Sequence, residues 1–320
     1  MSEGLRIGSR ASRLALAQAE SVAAALRAAH PGLEVRIDPF RTAGDRDRRT
    51  PLARLGGAGF FVKELQAALL DARIDLAVHS MKDVPTAGPE GLEAEAAVPP
   101  RADPRDCLVT RAGVALADLA PGAVVGSSSP RRRAMILAAR PDLRVVDLRG
   151  NVETRLAKVE SGACDATLLA RAGLERLGLL GPRAVPLDAS VVLPAAGQGA
   201  LGLEFRAADE RVRRLLGPLD DAPSRWAVVA ERALVRHLRA GCSTPLGALA
   251  RVDAAGTLAL EAWLLAPDGR RAVRGREAGP MAEAAEVGAR LAERLLAEGG
   301  GALLGPAAGA GERGAGRGME

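Results

Sequence analysis

Three short stretches put hydroxyl or amide side chains and arginine where an apolar run gives way to a helical pattern. Gly8-Ser9-Arg10-Ala11-Ser12-Arg13 and Gly126-Ser127-Ser128-Ser129-Pro130-Arg131-Arg132 are two of them, and Arg149-Gly150-Asn151, with Arg155 beyond it, is the third. A capped helix start leaves backbone N–H groups and the positive end of the helix dipole facing outward, a natural seat for a carboxylate or phosphate. Guanidiniums beside it add bidentate pairing. Ser12 and Ser129 are the expected caps, and Pro130 suits the first helical position. Any one of these sites alone reads as ordinary capping with surface arginine. Three of them, each after the C-terminal end of a strand, point to an anion-binding cleft, because α/β proteins take ligands at that edge.

Lys82-Asp83 follows the buried-type strand around Leu76-Ala77-Val78 and precedes Val84-Pro85, so it lies on a loop at the same edge. It reads either as a charge-tuned acid–base pair or as a surface ion pair. Cys107 and Cys164 sit in or beside apolar strands and read as small core residues. Cys242 differs: it lies between Gly241 and Ser243-Thr244-Pro245 in an irregular loop, where a thiolate could be a nucleophile or an attachment point. His30, His79 and His237 are scattered without ligand spacing, so no metal site is expected. There is no P-loop, no GxGxxG after a strand and no GxSxG.

The elements that must hold these residues alternate. Short strands at Leu5–Gly8, Leu33–Ile37 and Ile74–Val78 are separated by helices after Ser12 and from about Phe60 to Leu70, the latter behind the Gly-rich loop Gly56-Gly57-Ala58-Gly59. This alternation predicts a parallel sheet with helices on both faces. After the Pro-rich break Val98–Pro104 the pattern resumes with strands at Val124–Gly126, Arg144–Leu148 and Ala166–Ala170, so the two halves echo each other. A second break, Leu193–Gly199, precedes a strand at Ala200–Phe205. Beyond Pro223 a helix, three alternating strands near 248–253, 257–265 and 271–276, and an amphipathic helix from Met281 to Ala297 predict a small α+β unit. The Gly/Ala-rich end has no periodicity and reads as disordered.

Composition narrows the partners. A chain of 320 residues with 48 % hydrophobic content can bury two or three cores, and it has no uncharged apolar run long enough to span a membrane. Its start lacks an apolar signal core, so cytoplasm is the expected location. The net charge is +5, carried by 41 arginines and only three lysines, Lys63, Lys82 and Lys158. Most of that arginine reads as solvated surface. Where arginine is used nearly everywhere, a lysine hints that a compact ammonium is wanted. The sequence pI near 9.8 and the Arg131-Arg132-Arg133 run suggest a nucleic-acid binder. An aromatic content of 2 % and the dispersal of the other arginines weigh against it. A solute-binding or anion-sensing protein is the other rival, against which the third unit with its loop cysteine weighs.

Taken together the motifs resemble the porphobilinogen deaminase (hydroxymethylbilane synthase) family. Those carrying the resemblance run from Arg6 to Ser12, Gly56 to Leu65, Ala77 to Pro85, Gly126 to Arg132, Leu148 to Arg155, Leu193 to Ala200 and Gly241 to Gly247. The resemblance implies two α/β domains like type II periplasmic binding proteins, joined by a hinge, plus a small α+β C-terminal domain. The bounds it suggests are 1–98 with 199–217, then 103–193, then 220–305, with 306–320 as a tail. It further implies a dipyrromethane cofactor, covalently held by Cys242, on which four porphobilinogens are condensed head to tail with loss of ammonia before hydrolysis frees hydroxymethylbilane. Asp83 matches the catalytic aspartate. Arg10, Ser12, Ser80, Lys82, Ser127, Ser129, Arg131, Arg132, Arg149, Gly150, Arg155 and Arg176 match positions binding substrate and cofactor carboxylates, and Phe61 and Gln198 match positions packing near the substrate. A monomer that hands its product to the next enzyme is also implied, with neither nucleic acid nor membrane as partner. Ala58, Pro130 and Ala240 depart from the usual Lys, Leu and Gly of the family.

Overall fold

The computed structural model describes residues 4–40, 62–241 and 243–304. The first sheet is built from β1 (Leu5–Arg10), β2 (Val35–Phe40), β3 (Leu76–Ser80), β4 (Leu92–Glu93) and β10 (Leu201–Arg206), in the order β2-β1-β3-β10-β4. The second uses β5 (Asp106–Thr110), β6 (Val124–Gly126), β7 (Arg144–Val146), β8 (Ala166–Ala170) and β9 (Ala184–Pro186), in the order β7-β6-β8-β5-β9. The two orders are the same when β10 is matched to β5. Helices α1 (Arg13–Ala29) and α2 (Lys63–Leu70) belong with the first sheet. Helices α3 (Pro130–Ala139), α4 (Val152–Glu160) and α5 (Arg171–Arg176) belong with the second.

The expected all-parallel sheets are in fact mixed. β1 runs parallel to β2 and β3, but β10 lies antiparallel to β3, with Leu201 opposite Ser80 and Phe205 opposite Leu76. In the second sheet β5 lies antiparallel to β8, with Asp106 opposite Ala170. The cause is the double crossing of the chain. β5 is the first strand laid down after it leaves the first unit, and β10 is the first after it returns. Each enters beside the third parallel strand from the ligand edge, so its first residue lands where its neighbour's last one does. Local alternation of strand and helix carries no information about that reversal.

The cores follow the period-2 and period-3.6 patterns. Leu5, Ile7, Leu76, Leu203 and Phe205 pack with Val22 and Leu26 of α1 in the first unit, and Leu108, Val125 and Leu168 pack with Met135 and Ile136 of α3 in the second. Gly8 and Gly126 occupy matching places in the two sheets. A side chain at Gly8 would collide with Ile74 and Leu65, and one at Gly126 would lie 2.7 Å from Leu148.

After α6 (Glu210–Leu216) the third unit begins with α7 (Ala222–His237), continues through the antiparallel sheet β11 (Leu246–Val252), β12 (Thr257–Leu265) and β13 (Ala272–Pro280), and ends in α8 (Ala284–Ala297). Leu249, Trp263 and Leu265 of this unit also pack into the second unit's core. Both crossover segments meet at Glu231 of α7, which is fully buried. Its carboxylate pairs with Arg101 at 2.7 and 3.1 Å and accepts from Gly197 N at 2.6 Å and Ala250 N at 2.8 Å. Among the described residues no helix is long and apolar enough to cross a membrane. Cys107 and Cys164 are buried, and burial pushes the Cys107 thiol up to about 11, as suits a core residue.

Candidate active site

The first unit contributes an open pocket at the C-terminal edge of its sheet, lined by Arg10, Ser12, Gln18, Val62, His79, Ser80 and Asp83. Arg10 ends β1, and Ser12 caps α1 by accepting from Ala15 N at 3.3 Å. Ser80 ends β3, where its hydroxyl accepts from Gln18 Nε2 at 2.9 Å. Met81–Asp83 then forms a single 3-10 turn that presents both Lys82 and Asp83 to the cleft. Under the pocket, buried Glu204 of β10 pairs with His79 at 3.0 Å and accepts from Gln66 Nε2 at 2.8 Å. Gln18 was not singled out in the sequence. It lies on the buried face of α1, where the helical spacing alone reads as core.

The second unit supplies the opposite wall. Ser129 caps α3, accepting from Arg132 N, and Ser127 accepts from Ser129 N at 3.2 Å. Arg131 and Arg132 are buried, and both turn to one carboxylate, Asp106, at 2.8 and 2.6 Å. They are anchored further on the carbonyls of Leu193 and Leu168. Gln198, 1 % exposed, donates to Asp106 at 2.9 Å and to Pro104 O at 2.7 Å while accepting from Lys82 Nζ at 3.2 Å. It therefore enters the site by hydrogen bonds and not as a packing wall. Asp106 was missed because a parallel strand would have put its first residue on the far edge. The reversal of β5 brings it to the ligand edge.

Charge sets the character of the cleft. Burial by itself would raise the Asp106 carboxyl, but Arg131 and Arg132 overcome it and hold the group well below the usual carboxylate range. Lys82 opens to the cleft yet is crowded by its walls. This desolvation, with Arg132, brings the ammonium down to about 8 against the pull of Asp83 and Asp106. Arg155 donates to Gly150 O at 2.9 Å, and burial followed by Arg132 and Arg149 lowers it to about 10, with Asp83 opposing. Gly150 has φ +122° and no room for a side chain against Thr154, and Asn151 caps α4. Arg176, lowered by burial, reaches the Gly199 carbonyl at 2.7 Å in the second crossover. Cys242 and Phe61 lie outside the described residues.

Two α/β units of matching strand order, facing each other across a cleft lined by arginines and a lysine with one carboxylate turn on its floor, define a two-unit α/β protein built around a cationic cleft. The family model described as "Porphobilinogen deaminase, dipyromethane cofactor binding domain" matches residues 5–214, and "Porphobilinogen deaminase, C-terminal domain" matches 226–297. A porphobilinogen deaminase of Syntrophotalea carbinolica is 52 % identical over 303 residues, covering 95 % of this chain and 96 % of that protein. One from a Roseiflexus species is 49 % identical over 304 residues, covering 95 % and 99 %. The chain belongs to the porphobilinogen deaminase family; it is an enzyme, a transferase of tetrapyrrole synthesis, and its first two units form a dipyrromethane-cofactor-binding region. Among solved structures, the VFT2 domain of Bordetella pertussis BvgS (double mutant) has TM-score 0.40 at 17 % identity, covering 70 % of this chain and 87 % of that one. The sulphonate-binding protein SsuA from Escherichia coli has TM-score 0.38 at 19 % identity, covering 75 % and 71 %.

Proposed function

We propose that this chain condenses porphobilinogen head to tail on a dipyrromethane primer attached through a thioether at Cys242, and releases hydroxymethylbilane by hydrolysis after four additions. The observation that supports it is the position of Asp83. It lines the pocket of Arg10, Ser12 and Ser80, and its charge is felt by Lys82 and Arg155 across the cleft. The donor set suits the cofactor: each pyrrole ring carries an acetate and a propionate, and the walls offer guanidiniums, one ammonium and capped helix starts. The buried Arg132 Nε has no hydrogen-bond partner among the described residues.

When bound, the cofactor supplies the free pyrrole carbon to which each unit is joined, with ammonia leaving. Arg131, Arg132, Arg149, Arg155 and Lys82 hold ring carboxylates, with Ser127, Ser129 and the positive-φ turn at Gly150 shaping their seats. Arg10, Ser12 and Ser80 hold those of the incoming unit, and Arg176 steadies the crossover side. Asp83 accepts from pyrrole N–H groups and stabilises the positive charge that develops as ammonia departs, a carboxylate aimed where charge forms. The segments 99–104 and 193–199 act as the hinge between domains 1–98 with 199–217 and 103–193, and the enzyme works as a cytoplasmic monomer.

Intact-protein mass spectrometry tests the covalent step. Wild type is expected to carry the mass of two condensed pyrroles, and Cys242→Ser is expected to lack it and to be inactive. A fully active wild type without the adduct would overturn the reading, and reversible ligand binding without turnover would favour a solute-binding protein.

A further inference from the structure

The turn that carries Asp83 is gripped from outside its own sheet. Arg232 of α7 donates through Nη1 to Val84 O at 2.8 Å and through Nη2 to Pro85 O at 2.8 Å, the carbonyls of the two residues after Asp83. Its Nε pairs with Glu95 at 2.6 Å. One helical turn on, Arg236 donates to Thr86 O at 3.1 Å and shares Glu95 at 3.2 Å. Arg232 is 5 % exposed, and Val228 of the same helix packs on Met81 and Val84. Three successive carbonyls after Asp83 are thus satisfied by one face of α7, where no sheet reaches them. α7 itself ends at His237, five residues before Cys242 in the sequence.

We infer that Arg232 is a positioning residue for the condensation. It locks the Asp83 turn to the third unit, so that Asp83 keeps a constant relation to whatever that unit carries while the two α/β units move or the chain lengthens. This rests on the role proposed above for Asp83. The requirement is for a guanidinium. Its planar fork meets two adjacent carbonyls and a carboxylate at once, whereas an ammonium on a flexible stem holds no such fixed geometry. A displacement of the Asp83 carboxylate by an ångström or so would slow the chemistry about 10- to 100-fold without removing the carboxylate-binding groups that set substrate affinity.

The test compares Arg232→Met, Arg232→Lys and Glu95→Gln with Arg225→Met, on the whole enzyme with its cofactor. Arg225 lies on the same helix but pairs with Asp220 at 2.9 Å and stacks on Trp226, away from the turn. Arg232→Met is expected to lower kcat 10- to 100-fold with KM for porphobilinogen within about twofold and the dipyrrole mass retained. Arg232→Lys should recover part of that loss, and Arg225→Met should leave kcat unchanged at a similar thermal shift. Should Arg232→Met not fold, Arg232→Lys and Glu95→Gln carry the test, each expected to lower kcat severalfold at unchanged KM. A kcat within twofold of wild type in the folded variants would overturn the inference. So would an equal kcat loss in Arg225→Met, or loss of the dipyrrole mass. Asp83→Asn separates the two readings. If it retains turnover, the role of Asp83 falls; if it loses turnover while the Arg232 variants keep theirs, only the positioning role falls.

Discussion

Asp83 and Lys82 are neighbours in the chain and on one turn, yet they face different demands. In the proposed reaction Asp83 meets the pyrrole nitrogens, and Asn at this position would keep shape and hydrogen bonding but remove the charge proposed to stabilise the developing cation. Asp83→Asn is expected to lose turnover by at least 100-fold with the cofactor mass still present, read by steady-state kinetics and mass spectrometry. Lys82 supplies an ammonium that desolvation has brought down to about 8. A ligand carboxylate favours its charged form, so that form must be kept or regained by proton uptake for tight binding. With Lys82 in its proposed carboxylate-binding role, affinity for porphobilinogen is therefore expected to be full below about pH 8 and to fall as pH rises through it. Lys82→Arg is expected to move this fall to higher pH, checked by porphobilinogen KM between pH 7 and 9. Of the three lysines, Lys82 falls beside Asp83 on its turn, where the hint from rarity points, while Lys63 and Lys158 lie on helices, where the hint adds nothing.

Strands and helices decide which charges meet. The caps at Ser12, Ser129 and Asn151 were legible because a cap and its N–H partner lie three residues apart, and the structure shows all three. Asp106 was not legible. Its partners are 25 and 26 residues away, and they meet it only because β5 runs against β8. Asp106→Asn leaves two buried guanidiniums facing each other and is expected to cost about 3–5 kcal/mol in urea unfolding at pH 7. The sign with pH follows from the depressed carboxyl. Its contribution is whole above the unfolded value near pH 4 and is lost as acid takes the pH down toward the folded one. The variant and the wild type should therefore converge in stability in strong acid. A constant gap down to pH 2 would mean that the pairing contributes little.

At the level of the whole molecule, the third unit is built into both α/β units. Trp263 lies in the second unit's core, Glu231 binds both crossovers, and Arg232 binds the Asp83 turn. Glu231→Gln keeps the shape but leaves Arg101 buried without its carboxylate, so the third unit is expected to uncouple. Both tryptophans, Trp226 and Trp263, are in that unit. Their fluorescence in urea should report an earlier transition than far-ultraviolet circular dichroism, where wild type shows one coincident transition; coincidence in the variant would refute the coupling.

What could be read from the chain was what depends on neighbours within a turn or a strand: the element sequence, the capped anion seats, the cationic character of the cleft and the family motifs. Those interactions span three to seven residues, and the local backbone decides them. The convergence on Asp106, the buried Glu204 pair, the Glu231 junction and the Arg232 grip join residues from about 25 to 150 positions apart. They exist because the chain crosses twice between two like sheets and then packs a third unit against both crossings. Composition and spacing are the same whichever way a strand enters a sheet, so only the folded arrangement could assign those partners.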